Sequence, residues 1–260
     1  GGLLGVAQGS DYPPFLVHMV YKPKKTTRKR VALVGKAVTF DSGGLSLKPA
    51  DFMMTMKCDM AGSAAVLGAF CVIASVAPAC EVHGIFGAVE NMPSGKAIRP
   101  GDVLTAMNKK TIEVLNTDAE GRLTLADTLT FATKQKPQAI IDLATLTGAC
   151  MVALARYANG LFSYDDALIA RMRKHGEQSG DYVWPLPLWE EYEEDGLKGG
   201  KRWVVTVQPG KEQELKAAYV VQIPSTPDPT GAPSAPPYSW SRFVPSAVSV
   251  PSRDSAVVSP

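Results

Sequence analysis

Along residues 30–180 the apolar positions alternate between two kinds of pattern. "RVALVGKAVTF", "EVHGIFGAVEN" and "AIIDLATLT" are short apolar runs rich in β-branched residues and read as core strands. "AGSAAVLGAFCVIAS", "GRLTLADTLTFATKQ" and "DDALIARMRKHGEQSG" space their apolar positions as helices do, the last stopping near Gly180. "DVLTAMNKKTIEVLN" predicts a hairpin turning at Asn108 and Lys109. Strand and helix in alternation predict an α/β fold: a mixed, largely parallel sheet sandwiched by helices, in a single domain.

The pattern fails toward the end of the chain. Ten of the twenty prolines and nine serines lie after Glu193, so residues 193–260 are expected to form an irregular, divergent or aberrant tail that packs little. The chain starts at Gly1 without Met and reads as a fragment or a processed product. Hydrophobic content of 45% is ample for a core, and 27 Lys plus Arg against 25 Asp plus Glu give no polycation for nucleic acid. "YKPKKTTRKR" packs six cations into ten residues and reads as a solvated connection. Cys58, Cys71, Cys80 and Cys150 contain no C-x-x-C pair and read as small buried hydrophobes in a reducing compartment. "AAVLGAFCVIASVA" is shorter than the ~18–20 residues of a membrane span, and no signal peptide is visible. A cytoplasmic chain without a membrane segment is expected.

Chemistry enters at the strand ends, where an open α/β sheet carries its crevice. "VGKAVTFDSGGLSLKP" brings Lys36, Asp41, a Gly-Gly turn and Lys48, and "MKCDMAG" places Asp59 just before a helix. "NTDAEGRL" places Asp118 and Glu120 before another. Thr117 with Glu120 has the spacing of a capping box, but capping leaves Asp118 and Arg122 unexplained. Gathered carboxylates need compensating cations. His18, His83 and His175 are too dispersed for a histidine-based zinc site, and His83 in an apolar strand reads as a satisfied core residue. A metal held mainly by oxygen, Mn, Mg or Zn in a carboxylate-bridged pair, is the expectation.

"GKAVTFDSGG", "MKCDMAG" and "NTDAEGRL", in this order and spacing, resemble the catalytic domain of the leucyl aminopeptidases, also called cytosol aminopeptidases, which are dinuclear metal exopeptidases. "VENMPSGKAIRPGDV" and "IIDLATLTGAC" extend the likeness over residues 1–192, while the family's N-terminal domain is missing. The resemblance implies Lys36, Asp41, Asp59, Asp118 and Glu120 as ligands of two divalent ions, Mn or Zn, and Lys48 and Arg122 as the catalytic pair. It implies a bicarbonate held at Arg122, and Met56, Thr145 and Gly148 in the pocket for the substrate's first side chain. The implied reaction is hydrolysis of the N-terminal peptide bond by a hydroxide that two metals activate, in a homo-hexamer acting on peptides with a free N-terminus.

Bottom-up chemistry agrees. Burial beside two dications favours a neutral amine on Lys36, able to coordinate, while Lys48 stays protonated to stabilise an oxyanion. Two other classes compete: a catalytically impaired relative acting as a binding or regulatory subunit, and a carboxylate-metal phosphoesterase, against which the two lysines argue.

Overall fold

A computed structural model describes residues 1–25, 27–189 and 216–221. The elements are α1 (Gly2–Ala7), β1 (Phe15–Tyr21), β2 (Arg30–Asp41), α2 (Ala50–Met53), α3 (Ala61–Val76), β3 (Glu81–Asn91), β4 (Val103–Thr105), β5 (Thr111–Glu113), α4 (Glu120–Lys134), β6 (Ala139–Ala144), α5 (Ala149–Leu154), β7 (Asn159–Phe162), α6 (Asp166–Ser179), β8 (Val183–Pro185) and β9 (Lys216–Val221). Seven strands form one sheet in the order β1-β3-β2-β6-β9-β7-β8, and β4 and β5 form the expected hairpin. The run β3-β2-β6-β9 is parallel, β7 pairs parallel with β8, and β1 and the β9–β7 contact are antiparallel. The sheet is therefore mixed and largely parallel, flanked by helices.

Alternation along β2 decides which helix covers which face. Ala32, Val34 and Val38 turn toward α1 and α4, meeting Leu3, Val6, Leu123, Leu125 and Leu129. Gly35 turns the other way, where α3 lies so close that a Cβ on it would stand 2.6 Å from Ser63 Cα. On the same side Ile141 and Leu143 of β6 pack with Leu168 and Met172 of α6. A Cβ on Gly62 would lie 1.9 Å from the Leu143 carbonyl oxygen, so the start of α3 rides directly on the backbone of β6.

The core strands and helices fall where the pattern predicts them, with one shift at the site: β6 ends at Ala144, before Thr147. The capping box does not form. Ala119 is the N-cap of α4 and makes no side-chain cap, while the Thr117 hydroxyl donates to Gly43 O at 2.7 Å and accepts from Ser46 N at 2.8 Å. Of the four cysteines, all free, only Cys150 is buried, and Cys71 is exposed on α3. The residues described in the basic connection between β1 and β2 are mostly exposed.

The helical stretch Ala50–Val76 is, end to end, long and apolar enough to cross a bilayer, unlike the shorter run read from the sequence. It is broken by a 3-10 turn at Met56–Cys58 and carries Asp51, Lys57 and Asp59. Strand β9 lies inside the segment expected to be irregular, so that segment contributes to the sheet. The rest of it, 193–215 and 222–260, lies outside the described residues.

Candidate active site

Strands β2 and β3 end side by side, with Asp41 opposite Asn91. Beyond Asp41 the chain turns on Gly43 and Gly44, both left-handed (φ 87° and 63°), a conformation that costs little only for glycine. That turn brings Lys48 back over the strand end, its Nζ 2.9 Å from Asp41 Oδ2 and 2.5 Å from Asp118 Oδ1. Asp118 sits in a 3-10 turn, Thr117–Ala119, that leads into α4, whose first residue is Glu120.

Lys36 is the second anchor. Its side chain is 3% exposed, and its ammonium reaches Asp59 Oδ1 and Oδ2 at 2.8 and 2.7 Å, Glu120 Oε1 at 2.7 Å and the Thr145 carbonyl at 2.9 Å. Thr145 Oγ1 donates to Asp59 Oδ1 at 2.8 Å. The lysine stem lies on the first turn of α4, where a Cβ on Gly121 would come within 2.6 Å of Lys36 Cε. Asp59 reaches Lys36 because the packing of α3 on β2 and β6 fixes the turn that precedes α3.

The electrostatics follow from burial and charge count. Burial alone would lower the pKa of Lys36, but Glu120 and Asp59 together raise it above the ordinary lysine value. In the arrangement without metal the carboxylates win and Lys36 is a cation; the neutral amine expected beside two dications belongs to the metal-loaded state. Lys48 is raised in the same way, Asp118 and Asp41 outweighing its burial. Glu120 is pushed up to about 7, chiefly by burial and then by Asp41 and Asp59, against the pull of Lys36. Asp59 is raised for the same reason. Burial lowers Arg122, and Glu120 partly offsets it.

Four carboxylates (Asp41, Asp59, Asp118, Glu120) face two ammonium groups here, so with every acid ionised they outnumber these two cations by two. Asp41, Asp118 and Glu120 each offer an oxygen within 4.8 Å of the others, a spacing able to hold a metal ion. Glu120 Oε2 is buried and accepts no hydrogen bond. An orphaned, fully desolvated carboxylate oxygen is costly unless a cation meets it, and a donor set of carboxylates plus one amine suits Mn or Zn. The residues therefore fit a divalent ion.

The structure gathers Lys36, Asp41, Lys48, Asp59, Asp118, Glu120 and Thr145 through direct contacts. Arg122, two residues past Glu120, feels its charge. Met56 meets the cluster through its carbonyl, which accepts from Asp59 N at 3.3 Å. Gly148 is exposed at the start of α5, three residues past Thr145. Asn91, which the sequence pattern does not single out, and Thr117, which its spacing assigns to a cap, tie the ligand loops together. The available signal was Asn91's place at the end of a core strand.

A profile described as the catalytic domain of the cytosol aminopeptidase family matches residues 1–222. The chain belongs to the cytosol aminopeptidase family. The match runs past Tyr192 and across β9. Among relatives, a probable cytosol aminopeptidase of Azoarcus sp. (strain BH72) is 56% identical over 194 residues, 75% of this chain and 39% of the relative. One of Gloeobacter violaceus is 57% identical over 199 residues, 76% of this chain and 39% of that protein. The corresponding protein of Aquifex aeolicus is 52% identical over 189 residues, 73% and 38% of the two chains. The chain thus spans about two fifths of the length of these cytosol aminopeptidases.

Proposed function

We propose that this chain is the catalytic part of a cytoplasmic, metal-dependent leucyl aminopeptidase that hydrolyses the N-terminal bond of peptides, with hexameric assembly as in the family. The observation that carries the reading is the charge imbalance of the buried cluster, four acids against two lysines with Glu120 Oε2 unmatched. Asp41, Asp118 and Glu120 would hold one divalent ion, Mn or Zn, and Lys36, Asp59, Asp41 and Glu120 the other. Bound there, the pair would supply an acidified water and polarise the scissile carbonyl.

The chain's own groups set the rest. Lys48, raised by its two acids in the metal-free chain, would be a donor for the oxyanion of the tetrahedral state. Arg122, in the first turn of α4, offers a cation to a bicarbonate that would take up protons during attack. Lys36 can ligate only as a neutral amine, so metal uptake must expel its proton, and affinity rises with pH. Thr145 fixes Asp59 through its hydroxyl and Lys36 through its carbonyl; with Met56 and Gly148 it would border the pocket for the first side chain.

Release of chromophore from a leucyl anilide by the Mn- or Zn-loaded chain tests the proposal. Lys48→Ala is expected to lower kcat by roughly 10²–10³-fold while both ions stay bound. A folded, metal-loaded sample without turnover would reject it and favour a binding or regulatory role.

A further inference from the structure

Asp41 ends β2 and Asp118 sits in the turn before α4, and their carboxylates repel. Thr117 and Ser46 tie the two segments through their hydroxyls, and Asn91 bridges them from a third element while also reaching a ligand carboxylate. Asn91, 2% exposed at the end of β3, donates from Nδ2 to Asp41 Oδ1 at 2.8 Å and to the Thr117 carbonyl at 3.0 Å. Both amide hydrogens are thereby used, one on a ligand carboxylate and one on the residue before Asp118. Gly43 N adds a second donor to Asp41 Oδ1 at 2.9 Å, which saturates that oxygen and leaves Oδ2 facing Lys48. The Asn91 backbone carbonyl in turn accepts from Ser42 N at 3.0 Å and Ser42 Oγ at 2.7 Å. Gly44 permits this closeness, since a Cβ there would stand 2.9 Å from Asn91 Oδ1.

We infer that Asn91 is a positioning residue for one of the two ion sites, that of Asp41, Asp118 and Glu120, fixing which oxygen of Asp41 faces the ion and how far Asp118 stands from it. The inference rests on the two-metal reading above. The side chain suits the task because it is a neutral double donor. A lysine or arginine would compete with the ion for the carboxylates, and an aspartate would repel Asp41 and offer nothing to the Thr117 carbonyl. Asp41 serves both ions, but Asp118 serves only this one and Asn91 makes no hydrogen bond to Lys36 or Asp59, so its influence falls more heavily on this site than on the other.

The test is a Mn²⁺ titration of the full chain, unsubstituted and as Asn91→Asp and Asn91→Leu, by calorimetry, with Mn²⁺ electron paramagnetic resonance to detect the coupled pair. Both variants keep the approximate shape of asparagine and remove its donors. The expected result is one equivalent weakened about 10–100-fold, the usual loss when a group orienting a ligand is removed, with the other weakened less and the coupled signal delayed to higher metal. Two equivalents bound as in the unsubstituted chain would overturn the inference alone. Parallel loss of both, with a lowered Tm, would assign Asn91 to general stability and overturn it too. An unsubstituted chain that binds no Mn²⁺ would overturn the metal reading itself, and this inference with it.

Discussion

Two polar clusters terminate the same pair of strands. At the carboxyl ends of β2 and β3 stand the four acids and two lysines of the site. At the amino ends Arg30 Nε meets Glu81 Oε1 at 3.2 Å, Glu81 Oε1 meets His83 Nε2 at 2.8 Å, and His83 Nδ1 meets His18 Nε2 at 2.8 Å. The two imidazoles are nearly parallel (13°), and their centroids are only 5.1 Å apart. That is little more than the nitrogen separation plus the two ring radii, so they meet edge to edge and share a proton rather than stack. In the second cluster one acid faces one guanidinium and both nitrogens of His83 are engaged, so its charges balance. The first keeps excess negative charge and an orphaned oxygen. Balance, rather than the mere presence of buried charge, separates a structural network from one built to receive a cation.

The largest expected effect on this contrast comes from Lys36→Met, which keeps the stem but strips the open cluster of its most buried cation. Without metal it should lose about 3–5 kcal/mol of unfolding free energy, because Asp59 and Glu120 are left uncompensated. A loss below 1 kcal/mol in a denaturant titration would mean that the two clusters do not differ as described.

A smaller effect is a slope with pH. Glu120, at about 7 in the fold, lies above its ordinary unfolded value near ~4.3. The folded chain holds that proton longer, so the contribution is complete below pH ~4.3 and is lost as pH rises through about 7. Asp142, buried in β6 and also raised to about 7, adds a slope of the same sign. Unfolding free energy of the metal-free chain should therefore fall between pH ~4.3 and ~7, with about 2–3 kcal/mol from Glu120. Glu120→Gln or saturating Mn²⁺ should remove the Glu120 share and Asp142→Asn its own, leaving the slope that the raised Asp59 contributes. An unchanged slope in Glu120→Gln would contradict this.

The smallest effect belongs to the balanced cluster. Burial and His83 lower His18, against the pull of Glu81. Its contribution is present above its ordinary value near ~6.5 and is lost as pH falls below it. His18→Phe should flatten that acid-side loss by less than about 1 kcal/mol, because His18 is exposed and water screens it. Amide exchange along the edge strand β1 between pH 7.5 and 5 would register it; identical exchange in the variant and the parent would remove the pH role from this cluster.

The ligands were legible in the sequence because acids and lysines at the ends of apolar strands are chemically conspicuous. Asn91 and Thr117 were not, since an amide and a hydroxyl acquire meaning only from partners 50, 26 and 74 residues away. Local spacing assigned Thr117 to a capping box, and two backbone groups from the Asp41 loop outcompeted it. The charge of Lys36 required distances: burial and the carboxylates act in opposite directions, and only 2.7–2.8 Å contacts decide the winner. β1 lies ahead of the alternating segments and its inward residues are only half-buried, and β9 lies within a proline-rich stretch.

The close seat of α3 on β6 has a consequence for tolerance to change. Where Gly62 meets Leu143, nothing larger than hydrogen fits, and the Lys36 amide is only 2.9 Å from the place a methyl would occupy. The gauge of the cleft is thus set by two touching backbones. Gly62→Ala, an uncharged change that alters no ligand, would act as a shim, prising Asp59 away from its amine.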